Sequence, residues 1–297
     1  MICCEIPHEV CYLFKFLQLI NNFNIKLAFL ICLLVLWNLK LSLQFKGYQI
    51  HAGYAYSLKT AAHAYSQIDA TSIKTIFVLG PSHHFFLRGC AVDRFSSLQT
   101  PLGVLQVDVD IVEKLSDLKG FSVINNEASE DEHSIEMHLP LLKFVFKKEH
   151  VKVVPIMVGE FSESLADELT GALVPYFNDE NTLFVISSDF CHFGSRFQFS
   201  ITGYESENKP LYEKIEMLDK RGIDLIVNHK YDDFLWYLNE TENTICGRNP
   251  ILLLLRLLAA SNLNISSKLL HYSQSSRITR VSDSSVSYAS IVGLVHK

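Results

Sequence analysis

The chain has 297 residues, 48% of them hydrophobic and 20% charged, so it can bury a large core and carries no bias toward disorder. Its net charge of -6, from 26 basic and 32 acidic residues, excludes the basic face that nucleic-acid binding requires. Seven cysteines without a CxxC pair exclude a disulfide framework, a zinc knuckle and a thioredoxin-like site, and read as a reducing, intracellular protein.

The first element is an anomaly. Residues 27–39, LAFLICLLVLWNL, carry no charge, and the apolar character continues after Lys40 through LSLQF. The run is short for a spanning helix, which needs about 20 residues, and is signal-peptide-like, but its cationic flank is thin and no small-residue cleavage site is visible. Hydropathy leaves three readings: a membrane anchor, a buried core segment, or a non-native leader.

From Gly53 the pattern alternates strand and helix, which predicts a single α/β domain with a central mixed sheet flanked by helices. Residues 54–68 are Ala-rich with helical spacing. The stretch 74–84, KTIFVLGPSHH, is a short apolar strand stopped by Gly80, Pro81 and Ser82, with His83 and His84 just past the stop. Residues 90–95 and 104–109 alternate around Thr100-Pro101 and predict a hairpin at the sheet edge. A helix over 110–118 is expected to be capped by Asp110, followed by a strand over 121–124 and an acidic linker over 126–132.

Residues 133–145 read as a helix that Pro140 kinks or restarts. The strand 151–158 contains Pro155, which favours an edge or a bulge. A helix over 162–176 precedes a second apolar strand, 182–188, which ends in Asp189, Phe190, Cys191 and His192. Helices follow over 209–227 and 232–238. The apolar run 251–260 starts with Asn249 as its expected cap and Pro250 at the first helical position. Strands over 265–272 and 285–295 close the chain.

Chemistry-bearing residues gather at element ends. They are His51 in IHAGY, His83-His84 in GPSHH, Asp189 and His192 in SSDFCH, and Cys246 in NTICGRNP, with His133, Glu136 and His138 in EDEHSIEMH as a fifth group. His51, His83 and Cys246 would make a set of two nitrogens and one sulfur. Imidazole suits iron, copper or zinc, and a thiolate shifts preference toward softer ions. Three protein ligands leave a position for water or substrate, and Asp189 with His192 could serve as an acid/base pair or an outer shell. Each residue also has a plainer reading: a lone histidine at a strand end is more often a hydrogen-bonded structural residue, and a lone cysteine a core thiol. His133 and Glu136 are three apart and do not form HExxH; a bracing hydrogen-bond network is the preferred reading there. Arg248, at a helix entry, could meet an anionic ligand.

Taken together and in order, HAGYAYS, FVLGPSHH, SEDEHSIEMHLP, LFVISSDFCHFG, LDKRGIDLI, NTICGRNPI and DSSVSYAS resemble the Memo family, the mediators of cell motility. The resemblance runs from about His51 to the C-terminus, so residues 49–297 are expected to form the Memo domain and residues 1–48 a divergent hydrophobic segment. It implies a fold similar to the class III extradiol dioxygenases, which hold a non-haem iron with two histidines and a glutamate. By motif it implies His51, His83 and Cys246 as metal ligands, Asp189 and His192 beside them, and His192 where the dioxygenases keep an acid/base histidine. It further implies iron or copper, redox chemistry, a cytoplasmic location, and signalling downstream of receptor tyrosine kinases with phosphotyrosine peptides as partners. A non-catalytic adaptor using a relict cleft is the alternative.

Two departures bear on these expectations. A thiolate stands where the dioxygenases have a carboxylate, so ring cleavage is not expected. The family's usual opening is missing, and Ile50 stands where its members have Pro before HAGY. An alternative first exon or a faulty gene model is the leading explanation for the N-terminal segment. Membrane anchoring is the second.

Overall fold

The sheet is built around β2 (Thr75–Pro81), in which Ile76, Phe77, Val78 and Leu79 are completely buried. A continuous apolar run is what a parallel strand covered on both faces requires. In this computed structural model the described residues are 44–49 (backbone only), 52–125, 129–147, 151–201 and 208–296. The expected ligand His51 and the apolar run 27–39 lie outside them. Among the described residues no helix is long and apolar enough to cross a membrane.

Next to β2 lie β8 (Thr182–Ser187) and β7 (Lys152–Val158), both parallel to it, and β8 is in turn parallel to β1 (Gln44–Gln49). Beyond β1 come β11 (Ser285–His296) and β10 (Asn264–Gln274), successively antiparallel, and β11 also pairs antiparallel with the short β9 (His192–Phe193). On the other side β3 (Cys90–Val92) runs antiparallel to β7 and carries β6 (Phe121–Val123). The order is therefore β10-β11-β1-β8-β2-β7-β3-β6. Phe77 of β2 and Phe184 of β8 are register partners, and their rings stack at 4.7 Å and 1°. Removing a ring of that kind from a packed core costs about 3–5 kcal/mol.

Helices α1 (Tyr54–Tyr65), α2 (Val109–Ser116), α5 (Glu163–Phe177), α6 (Leu211–Val227), α7 (Tyr231–Thr241) and α8 (Arg248–Ala260) flank the sheet. The expected helix over 133–145 is two short ones, α3 (His133–Glu136) and α4 (Leu139–Val145), with the restart at Pro140 as anticipated. Gly80 lets α3 close on β2: a Cβ there would stand 2.5 Å from Ser134 Oγ, which donates to the Pro81 carbonyl at 2.9 Å. That contact sets the 132–134 segment beside His83.

Four local expectations are corrected. The hairpin pairs β4 (Ser97–Thr100) with β5 (Gly103–Val107), because a turn closed at Thr100 and Gly103 can only join the segments adjoining it. Residues 90–92 instead leave for the sheet, after which Asp93 accepts the Phe95 N–H at 3.2 Å and turns the chain. Pro155 is interior. On the side away from β2, β5 partners β7 at Val153 and β3 partners it from Met157, so the proline falls in the gap between them. Helix α2 starts from Asp108, not Asp110, since the Asp108 carbonyl accepts from Ile111 and Val112. Helix α8 starts from Gly247, not Asn249, since the Gly247 carbonyl accepts the Ile251 N–H at 3.0 Å. Pro250 still lies in the first turn, where its missing N–H costs no helical bond.

Candidate metal centre

Because β1, β8 and β2 are mutually parallel, the segments that follow them emerge along one edge of the sheet, where open α/β folds bind ligands. His83 follows β2, Asp189 and His192 follow β8, and Ala52 follows β1. The Ala52 N–H donates to Asp189 Oδ1 at 3.3 Å, so the β1 and β8 exits meet directly.

Cys246 is brought to the same place by the start of α8. A Cβ on Gly247 would stand 2.4 Å from both the Ser187 carbonyl oxygen and Ser188 Cβ, so only glycine allows the helix to approach the end of β8 this closely. The Gly247 N–H donates to Ser188 Oγ at 3.1 Å, and the Asp189 N–H donates to Cys246 Sγ at 3.2 Å. The residue keeps some exposed surface, but burial of its sulfur, with Asp189 nearby, pushes the thiol well above its usual range. A cation bound at this sulfur would favour the thiolate by opposing that shift.

His192 is held by backbone. Its Nδ1 lies 2.9 Å from the Phe190 carbonyl and 3.0 Å from the Thr244 carbonyl, which are acceptors only, so Nδ1 carries the proton and Nε2 is the basic nitrogen. Burial lowers its pKa, the two carbonyls oppose this, and the charge of His83 adds to the lowering. A neutral imidazole with a fixed tautomer suits a general base. The electrostatic link also puts His83 and His192 within reach of each other's field.

His83 is held by a carboxylate. Glu132, whose side chain is 1% exposed, takes the His83 N–H on Oε2 at 2.7 Å and His83 Nδ1 on Oε1 at 2.8 Å, while the Ser134 N–H also donates to Oε1 at 2.8 Å. Burial alone would raise the Glu132 pKa. These hydrogen bonds outweigh it and hold the group at about 2. Glu132 is therefore an anion at neutral pH, so His83 Nδ1 is its donor and Nε2 is the edge turned away from it. This is the carboxylate–histidine arrangement that orients metal-ligating imidazoles. His133 stacks on His83 with centroids 4.6 Å apart, and its Nδ1 is 3.7 Å from Glu132 Oε1.

Behind these residues two buried networks fix the loops. His138 bridges Tyr65 of α1 and Ser187 of β8, at 2.9 Å to the Tyr65 hydroxyl and 2.8 Å to Ser187 Oγ. Ser187 Oγ in turn donates to the Ser134 carbonyl at 2.7 Å, and burial lowers the His138 pKa to about 3. Asp219 accepts from Cys191 N–H at 3.2 Å, Asn243 Nδ2 at 3.1 Å and the Tyr272 hydroxyl at 2.8 Å, tying the His192 and Cys246 loops together. Burial raises its pKa to about 6 against those hydrogen bonds.

The profile of the Memo family, described as Memo-like protein, matches residues 48–292. The chain belongs to the Memo family. It is 43% identical to the protein memo-1 homolog of Caenorhabditis elegans over 253 residues, covering 83% of this chain and 71% of that one. It is 41% identical to the protein MEMO1 of Homo sapiens over 251 residues, covering 83% and 84% respectively. A solved structure, an uncharacterized protein JW3007 from Escherichia coli K12, is similar with a TM-score of 0.44 and 17% identity, covering 74% of this chain and 86% of that one.

In this Memo-family chain the expected site residues His83, Asp189, His192 and Cys246 all come to the strand-end edge, while His51 lies outside the described residues. The EDEHSIEMH string divides: the bracing network expected at His133 and Glu136 is found at His138, and His133 stands at the site with His83. Glu132 was missed. It reads as the end of an acidic linker, and the one signal was its place directly before His133, in a segment that Gly80 lets reach the β2 exit.

Proposed function

We propose that this Memo-family protein is an intracellular, cytoplasmic metal-binding protein that holds one iron or copper ion at the strand-end cleft. His83 and Cys246 are the proposed ligands, with His51 as the third by family motif. The observation that carries the reading is the convergence of His83, Asp189, His192 and Cys246 on the ends of parallel strands, with the tautomers of both histidines set from outside the cleft.

The donor set fits such an ion. Imidazole nitrogens suit iron and copper, and a thiolate extends the range to Cu(I). The ion would supply one-electron redox chemistry. The chain's own groups have separate tasks: Glu132 keeps His83 in one orientation, Asp189 lies against the Cys246 sulfur, and His192 Nε2 takes or returns a proton. Ring cleavage of the dioxygenase kind is not part of the proposal, since Cys246 stands where those enzymes have a carboxylate. Metal analysis of untagged protein against Cys246→Ala tests it. The variant is expected to lose most of its copper, and equal content in both would remove Cys246 as a ligand.

A role in cell-motility signalling downstream of receptor tyrosine kinases, with phosphotyrosine peptides as partners, is a second proposal. Its structural support is the exposed Arg248 in the first turn of α8. A phosphopeptide pull-down that Arg248→Ala abolishes would support it, and binding unchanged by that substitution would remove this site.

A further inference from the structure

We infer that His83 serves two alternative metal positions: beside the thiolate position, His83, Glu132 and His133 form a separate site for harder divalent cations such as Mn(II) or Co(II). One ligand atom from each of the three residues lies within 4.8 Å of the other two, and His83 Nδ1 and His133 Nδ1 stand 2.8 Å and 3.7 Å from Glu132 Oε1. Two imidazoles and one carboxylate are the donor set of non-haem Fe(II) sites that keep open positions. Here His83 is shared with the set the family resemblance implies, whereas Glu132 and His133 lie outside it.

The parts suit the task. Glu132 is buried, and its Oε1 already lies 2.8 Å from His83 Nδ1. His133 is 46% exposed at its side chain, so it can close the 3.7 Å gap to Glu132 Oε1 by a small rotation. His84 lies edge-on to His133 at 6.1 Å, at the same corner. Glu132 also walls a cavity of about 350 Å³ together with Asp93, Glu130 and Glu136, which gives the corner a field that favours cations.

The two positions exclude each other. A metal at His83 Nδ1 takes the place of the proton now shared with Glu132, and that proton moves to Nε2, since its loss to solvent would leave an imidazolate anion. With Nε2 protonated, His83 cannot ligate at the Cys246 position. With Nε2 bound to metal, Nδ1 keeps its proton and its bond to Glu132. Which position fills then follows ligand softness: Cu(I) takes the thiolate side, and Mn(II) or Co(II) the carboxylate side.

The inference shares His83 with the reading above, and one set of titrations separates the two. Full-length wild type, His133→Ala and Cys246→Ala are titrated anaerobically with Co(II) and with Cu(I), with folding checked by circular dichroism. Co(II) is expected to bind without a thiolate-to-metal charge-transfer band. Its affinity should fall at least ~10-fold in His133→Ala and stay unchanged in Cys246→Ala. Cu(I) should show the reverse. Co(II) bound with a thiolate band and indifferent to His133→Ala overturns the second position while leaving the first reading intact. Co(II) following the expected pattern with Cu(I) indifferent to Cys246→Ala upholds the second position and removes the first. Wild type that binds neither ion overturns both.

Discussion

At the end of β8 the site is made largely from backbone: Cys246 Sγ receives the Asp189 N–H, His192 Nδ1 lies against two carbonyls, and the whole segment hangs on the buried Asp219. At the end of β2 it is made largely from side chains: His83 is aimed by the buried Glu132 and covered by the half-exposed His133. Backbone cannot be re-aimed without moving a strand exit, whereas an imidazole held by one carboxylate can turn. The β8 side therefore fixes the cleft, and the β2 side decides which donor set His83 joins.

The largest contrast is expected from the two glycines. In Gly247→Ala the new Cβ meets the Ser187 carbonyl at 2.4 Å, and neither β8 nor α8 can yield cheaply. A loss of about 3 kcal/mol is expected in chemical denaturation, at the upper end for overpacking. In Gly80→Ala the obstacle is the Ser134 hydroxyl and the Ile135 side chain, which can move with the short α3. About 1 kcal/mol is expected there. Equal costs would mean that the two sides are equally rigid.

The difference in pH-dependent stability between wild type and Asp219→Asn probes the β8 side. The Asp219 pKa is about 6 in the folded protein against an ordinary value of 3.8, so the native state binds the extra proton between them. Its contribution is complete below that ordinary value and is lost as pH rises through about 6, amounting to about 3 kcal/mol. His138, held at about 3 by burial, acts with the opposite sign: its contribution is complete above its ordinary value and is lost as pH falls toward about 3. Subtracting the curve of Asp219→Asn from that of wild type cancels His138. The difference should turn against wild type between pH 4 and pH 7, and a flat difference would contradict the buried-carboxylate assignment.

A smaller effect separates the β2 side. In Glu132→Gln the amide nitrogen or oxygen can face His83, but the anion is gone. Nitrogen chemical shifts should show His83 moving from a fixed Nδ1–H tautomer to a mixture, with His192 keeping its Nδ1 proton against the carbonyls. A His83 tautomer unchanged by the substitution would mean that Glu132 does not aim it.

How much of this was legible in the sequence differs between the same two sides. The apolar runs of β2 and β8, each stopped by a polar cluster, announced parallel strands with His83 and Asp189 at their ends, and that is where both lie. Cys246 could be placed near them only through the family motif, because its approach depends on Gly247 fitting against Ser187 and Ser188, a contact between segments 59 residues apart. Glu132 had no periodic signal at all. Its role comes from a turn of chain folding back 49 residues onto His83, and local pattern cannot report such a contact. Pro155 misled for a related reason: a proline disrupts a central strand when the neighbour its N–H would face needs that donor, and here β5 ends before it and β3 begins after it.

The central claim is that His83 and Cys246 hold one metal ion between the β2 and β8 exits. Anomalous diffraction from crystals of the full chain loaded with Cu(I) under reducing conditions tests it most directly. The account predicts one dominant peak within bonding distance of both His83 and the Cys246 sulfur. A peak bonded to neither residue, or no peak in a protein loaded to saturation, would contradict it.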